Sequence, residues 1–171
     1  MEEPVANTEQ FLEANTEWAS SFSWGGLDVR PSRKLAILTC MDSRYTAQGV
    51  LGVQLGEAHV VRNAGGRVTD DAIRSLVLSA DVLGTRACIV IHHTKCGLYR
   101  TTNEAIHASI RAATGGDPSH IDFLPFSDLD ESVRADVAKL RACDLLPRDY
   151  EVVGFVYDVE TGVITPVSDS P

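Results

Sequence analysis

Ala36-Ile37-Leu38-Thr39-Cys40-Met41-Asp42-Ser43-Arg44 reads as a short apolar strand that delivers a cysteine to its end, then turns and presents an aspartate and an arginine. Cys88-Ile89-Val90-Ile91-His92-His93-Thr94-Lys95-Cys96-Gly97 follows the same plan, a second apolar strand ending in a histidine with another cysteine three residues on. Strands that are apolar along their whole length, rather than at alternate positions, belong to parallel sheets buried on both faces. Ligand sites of open α/β sheets form at the carboxyl ends of such strands, so the two stretches predict one site at that edge.

The rest of the chain supplies the sheet these strands need. Further strands are predicted over 58–62 and 151–158, with the two quoted stretches giving strands over 34–40 and 86–93. Between them lie a short helical turn at 46–51 and a helix begun by Thr69 with Asp70 and Asp71, which carries Ile73, Leu76, Val77, Ala80 and Leu83 on one stripe. Helices near 102–113 and 130–143 follow, and Thr161-Gly162 turns the chain into a last strand over 163–167, an edge hairpin. Ahead of the first strand, Asn7 is placed to cap a helix whose face carries Phe11, Leu12, Trp18, Ala19 and Phe22. That face fits either the chain's own sheet or a second subunit. The expected fold class is α/β: a single domain over 1–171 with a mainly parallel sheet flanked by helices, an N-terminal helical arm over 1–30 and a C-terminal edge hairpin.

Composition narrows the function. A length of 171 residues with 44% hydrophobic and 23% charged side chains describes one globular domain. A net charge of −9 argues against nucleic acid as a partner, and no apolar run reaches the roughly 20 residues of a membrane helix. Met1-Glu2-Glu3-Pro4 lacks the basic and apolar regions of a secretory leader, so a cytoplasmic location is expected. The charge is uneven. Residues 1–28 carry six acids and no lysine or arginine, 114–171 carry twelve acids against four bases, and 29–113 carries eleven bases against six acids. A positive middle around the candidate site suits a small anionic substrate or product.

The four cysteines (40, 88, 96 and 143) read as thiols rather than disulfides in such a compartment. Cys88 is expected in the core and Cys143 inert. Cys40 and Cys96, with a histidine, offer two thiolates and an imidazole, a set suited to zinc with a fourth position left open. His92 and His93 compete for the histidine place, because adjacent residues on a strand point to opposite faces. His59, His107 and His120 read as structural or surface residues. Asp42 and Arg44 stand just beyond Cys40, where a carboxylate takes the fourth position itself or accepts a hydrogen bond from a water there, while the arginine holds it.

Cys40-Met41-Asp42-Ser43-Arg44 followed by His93-Thr94-Lys95-Cys96-Gly97 resembles the paired signatures of the β-class carbonic anhydrases, and Arg62-Asn63-Ala64-Gly65-Gly66 is similar to that family's linking motif. The resemblance implies one zinc per chain held by Cys40, His93 and Cys96, with Asp42 joining only in a closed state. It implies an Asp42–Arg44 catalytic dyad and a homodimer or homotetramer in which the N-terminal helix lies across a partner. The chain departs from the family pattern at His92, where most members have glycine, and at Tyr45-Thr46 after the arginine. It also has Ile37 where some members carry the tryptophan of a bicarbonate pocket. The implied activity is reversible hydration of carbon dioxide to bicarbonate by water that zinc activates. The compact branch of the family also contains hydrolases of carbonyl sulfide or carbon disulfide, so these remain alternative substrates. A non-catalytic zinc-stabilised binding module is a third reading. Gly65, Gly66, Tyr45 and Leu98 are the residues expected to line the substrate pocket, with Tyr99 beside them.

Overall fold

The computed structural model describes residues 6–169. Five strands, β1 (Leu35–Cys40), β2 (Ala58–Asn63), β3 (Ala87–His93), β4 (Glu151–Tyr157) and β5 (Ile164–Pro166), form one sheet in the order β2-β1-β3-β4-β5. The first four run parallel and β5 pairs antiparallel with β4, the edge hairpin expected from Thr161-Gly162. From β1 the chain moves to β2 on one side and then crosses to β3 on the other. The crevice beyond the carboxyl ends of β1 and β3 is therefore the switch point of the sheet, the place where such folds bind ligands.

Alternation along each strand divides the core in two. Ala36, Leu38, Cys88, Val90 and Val152 face α3 (Asp70–Asp81) and α5 (Leu129–Arg141), which bring Ala72, Leu76, Ala80, Val133, Val137 and Leu140. Ile37 and Ile91 face the other way, toward Tyr45, the short α2 (Ala47–Leu51) and Phe126, with Ile106 of α4 (Asn103–Thr114) at the margin. Gly154 of β4 lets α5 come this close, since a Cβ there would run into Val133 Cγ1 and Val137 Cγ2.

The helix starts follow the sequence signals. Thr69 accepts from Ala72 N, Asp128 from Glu131 N and Thr102 from Ala105 N, each supplying a partner to an otherwise orphaned amide. Asn7 does the same for α1 (Thr8–Ser20). Within the expected arm, helix ends at Ser20 and the chain through 21–34 is irregular. None of the α1 residues is buried, and Phe11, Leu12, Trp18, Phe22 and Trp24 stay between 43% and 61% exposed. Trp18, Phe22 and Trp24 cluster with ring centroids 5.7–6.1 Å apart. Of the two uses open to this face, covering the chain's own sheet is not the one adopted.

Candidate metal centre

β1 and β3 lie side by side, with Thr39 registered against Ile91, so the strands release Cys40 and the His92–His93 pair at one edge. Cys40, His93 and Cys96 each direct one donor atom into a common space, the three atoms lying within 4.8 Å of one another. All three residues are buried. Zinc–sulfur bonds of about 2.3 Å and zinc–nitrogen bonds of about 2.0 Å set tetrahedral donors within that spread.

His93 Nδ1 lies 2.8 Å from Thr94 O and donates to it, which leaves Nε2 as the bare ring nitrogen. Nε2 is sealed from solvent and has no hydrogen-bond partner. An unpaired buried nitrogen costs on the order of 1–3 kcal/mol, and a metal ion would take up its lone pair. The residues present therefore fit zinc: two thiolates, one imidazole oriented by a backbone carbonyl, and a bare donor turned inward. The Cys96 contact holds the Cys40 thiol far below its usual range, while the same contact and burial push Cys96 up.

Asp42 lies beside this group without being part of it. Arg44 grips both of its oxygens, with Nε to Oδ1 at 2.9 Å and Nη2 to Oδ2 at 2.7 Å, and the Arg44 amide adds a third bond to Oδ1 at 2.9 Å. Arg44 Nη2 also donates to Lys95 O at 3.0 Å, tying the dyad to the loop between His93 and Cys96. The guanidinium holds the Asp42 carboxyl well below the usual carboxylate range. Asp42 Oδ2 stands 3.8 Å from His93 Nε2, next to the donor set but engaged elsewhere.

Gly65 and Gly66 form a tight turn at φ 77° and 69°, where an L side chain is strained. A Cβ on Gly66 would meet Cys40 N at 2.9 Å and Ile91 O at 3.0 Å, so the turn is wedged between the strands that carry Cys40 and His93. A Cβ on Gly65 would meet Leu98 Cδ1 at 2.9 Å. The close backbone approach that these glycines permit is thus to the strand ends and Leu98. Tyr45 is buried, its ring 4.7 Å from Tyr157 and 5.4 Å from His93. Its hydroxyl lies 2.7 Å from Thr39 Oγ1, so it turns ring surface rather than a free hydroxyl toward the site. Arg62 donates to Cys40 O at 2.8 Å and to Asp42 O, and its guanidinium carbon lies 5.3 Å from the Tyr45 centroid. It is occupied in bracing the loop that carries Cys40 and Asp42.

Residues 35–164 match the carbonic anhydrase family model. Beta-carbonic anhydrase 1 of Mycobacterium tuberculosis is 39% identical over 163 residues, which cover 94% of this chain and 98% of that protein. The chain belongs to the β-carbonic anhydrase family. Another relative is a carbon disulfide hydrolase of Acidianus sp., 38% identical over 154 residues that cover 76% of this chain and 75% of that one. Among solved structures, a carbonic anhydrase from Streptococcus mutans has a TM-score of 0.92 at 42% identity, covering 97% of this chain and 100% of that one.

The two adjacent histidines part company in the structure. His93 joins the cysteines, and His92 turns to the opposite face, where its Nδ1 meets Ser132 Oγ at 2.7 Å and its Nε2 lies 3.2 Å from Asp136 Oδ2. Asp136, Ser132 and Arg67 do not emerge from the sequence. They lie on α5 and beyond the glycine turn, with no motif to mark them; the one available signal is the doubled histidine at the end of β3. His59 bonds Ser79 Oγ and Val29 O, His107 bonds Ile121 O, and His120 is exposed, all outside the donor set. Cys88 is fully enclosed and Cys143 half-buried, both apart from it.

Proposed function

We propose that this protein reversibly hydrates carbon dioxide to bicarbonate with one zinc per chain held by Cys40, His93 and Cys96. Zinc supplies a Lewis acid that brings the pKa of a coordinated water from 15.7 to about 7. The chain supplies the rest. Thr94 O fixes the His93 ring so that Nε2 serves as the ligand atom. Asp42, kept ionised and held by Arg44, would accept a hydrogen bond from water on the open side and so orient the water's lone pair toward the carbon. The Gly65 amide is turned to the Cys40 sulfur, so the glycine turn supports that donor, and Leu98 and the Tyr45 ring form apolar wall. The positive middle of the sequence favours the anionic product.

The observation that carries this reading is the grip of Arg44 on both Asp42 oxygens. It leaves a three-residue donor set, the pattern of catalytic rather than structural zinc. A zinc-stabilised binding module would need Asp42 as a standing fourth ligand. Stopped-flow hydration of carbon dioxide by the zinc-loaded protein decides between them, with activity expected to rise from pH 7 toward 9. Full zinc content with no rate above buffer would leave the module. The Acidianus relative supports a second substrate reading, in which the same site hydrolyses carbon disulfide or carbonyl sulfide. Apolar walls discriminate by only about 1–3 kcal/mol per small group, so some activity on both gases is expected, with carbon dioxide ahead. A kcat/KM for carbonyl sulfide above that for carbon dioxide would reverse the order. The uncovered aromatic face of α1 supports a homodimer or homotetramer.

A further inference from the structure

Behind His93, on the other face of β3, lies a charged cluster that the proposed reaction does not use. His92 is fully enclosed. The Ser132 hydroxyl donates to Leu129 O at 2.7 Å, so it accepts from His92 Nδ1. Asp136, its side chain only 5% exposed, receives Arg67 Nε at 2.7 Å and lies 3.2 Å from His92 Nε2, a close approach without an aligned hydrogen bond. Arg67 also donates to Leu124 O. Phe126 lies against both partners of the carboxylate: the Arg67 guanidinium carbon is 5.7 Å from its centroid, and the His92 ring stacks on it at 5.8 Å. Apolar residues of similar volume commonly fill such a space at no loss of stability, so a buried charged cluster is weak evidence for a purely stabilising role.

The cluster reaches every segment that carries the candidate metal site. Arg67 directly follows Gly66, which is wedged against Cys40 N and Ile91 O. Asn63, the register partner of Cys40, donates through Nδ2 to Arg67 O at 2.7 Å. His92 immediately precedes His93. Phe126 N donates to Leu98 O at 3.1 Å, and Phe126 O accepts from Arg100 N at 2.7 Å, which fixes the stretch after Cys96. Asp136 thus holds Arg67 just beyond the glycine turn and stands against His92 at the end of β3, while Phe126, packed on both, fixes the loop beyond Cys96.

We propose that Arg67, Asp136 and His92 are positioning residues that set the geometry of the Cys40, His93 and Cys96 donors and of the Gly65-Gly66 turn, an inference that rests on reading those three donor residues as the metal ligands. Conserving shape while removing charge, as in Asp136→Asn, loosens Arg67 and His92 together. The donor set then loses its fixed geometry although each ligand is still present.

Cobalt(II) in place of zinc tests this, because its d–d absorption reports the symmetry of the donor set. The wild-type chain should show a tetrahedral thiolate spectrum; failure to bind cobalt or zinc at all would overturn the ligand reading and this inference with it. In Asp136→Asn and Arg67→Lys we expect shifted d–d bands, metal affinity lowered about 10–100-fold by chelator competition, and kcat reduced with KM little changed. Val137→Ala, one residue along the same helix and in the apolar core, should lose stability but keep the wild-type bands. Should Asp136→Asn fail to fold, Ser132→Ala, which frees only His92 Nδ1, is read for the same bands with a smaller shift. Wild-type bands and affinity in the folded cluster variants would overturn the proposal, as would an equal band shift in Val137→Ala.

Discussion

His92 and His93 are sequence neighbours, both closed off from solvent, with surroundings that have almost nothing in common. His93 spends Nδ1 on a carbonyl and leaves Nε2 bare among two thiols. His92 turns to α5, where Nδ1 bonds a serine and Nε2 lies 3.2 Å from a carboxylate without an aligned hydrogen bond. Strand alternation is the whole cause: a single step along β3 exchanges the face of the switch-point crevice for the face under α5. One dipeptide can therefore serve two faces, with a candidate ligand on one and its proposed brace on the other.

The sharpest way to break this comparison is to remove each ring. His93→Ala should lower zinc affinity by well over the roughly 100-fold that the loss of a supporting residue costs, and abolish hydration with it. Cys40→Ser and Cys96→Ser should do the same, while Cys88→Ser and Cys143→Ser keep the metal. His92→Asn should retain zinc at an affinity reduced about 10-fold. Competition against a chromophoric chelator measures both. Equal loss of zinc from the His92 and His93 variants would erase the division between the faces.

The glycine turn gives the next largest effect, read as stability. At Gly66 a methyl group meets backbone of β1 and β3, atoms that cannot swing aside, and the residue also sits at φ 69°. Overpacking of about 1–3 kcal/mol and left-handed strain of about 1–2 kcal/mol fall together there. At Gly84, φ 78°, nothing lies within 4 Å of an added methyl, so only the strain remains. Urea unfolding should therefore place Gly66→Ala about 2 kcal/mol or more below Gly84→Ala. If the two variants unfold alike, the turn is not wedged between the strands.

Which parts of this are legible in the sequence follows from the range of the signals. β1, β3, Cys40 and Cys96 are readable because each strand, turn and candidate donor lie within about ten residues of one another, whereas the choice of His93 over His92 needs the family resemblance. The dyad is readable for the same reason, Asp42 and Arg44 being two apart. The cap at Thr69 and the edge hairpin are equally local. Asp136 is not readable. It is an ordinary acidic residue in an amphipathic helix until packing lowers it onto His92 and Arg67, 44 and 69 positions away. The arm is half readable: its aromatic face is plain, but whether that face meets its own sheet depends on the tertiary path through 21–34. Tyr45 stands one residue from Arg44, which suggests nearness to the dyad, but its hydroxyl bond to Thr39 arises from contacts that no spacing encodes.

Arg44→Ala gives a smaller, more selective effect. Arg44 is exposed, so the fold should be indifferent to its loss, and the donor set does not include it. Without the guanidinium, Asp42 is free to turn toward the metal side, so hydration should fall about 10–100-fold while zinc content stays at that of the wild type. Stopped-flow rates with metal analysis on one preparation check this, and normal hydration would reduce the dyad to a surface ion pair.

The smallest effects compare one hydrogen bond on each side of the sheet. Ser132→Ala removes the acceptor of His92 Nδ1 and leaves a buried N–H unpaired, which should cost about 2 kcal/mol. Tyr45→Phe, on the His93 side, removes a hydroxyl whose partner Thr39 Oγ1 keeps a second bond, to Ile91 O at 3.0 Å. Nothing is orphaned, so about 1 kcal/mol is expected. The two also differ with pH. Burial pushes the Tyr45 phenol up to about 12, above its ordinary value near 10. A raised phenol favours the neutral folded form, so its contribution is complete below about pH 10 and is lost as pH climbs toward 12. The advantage of the wild type over Tyr45→Phe should therefore hold steady between pH 7 and 9 and shrink by pH 11 in urea titrations. A gap that widened at pH 11 would mean that Tyr45 ionises more readily in the folded chain, contrary to its burial between Tyr157 and His93.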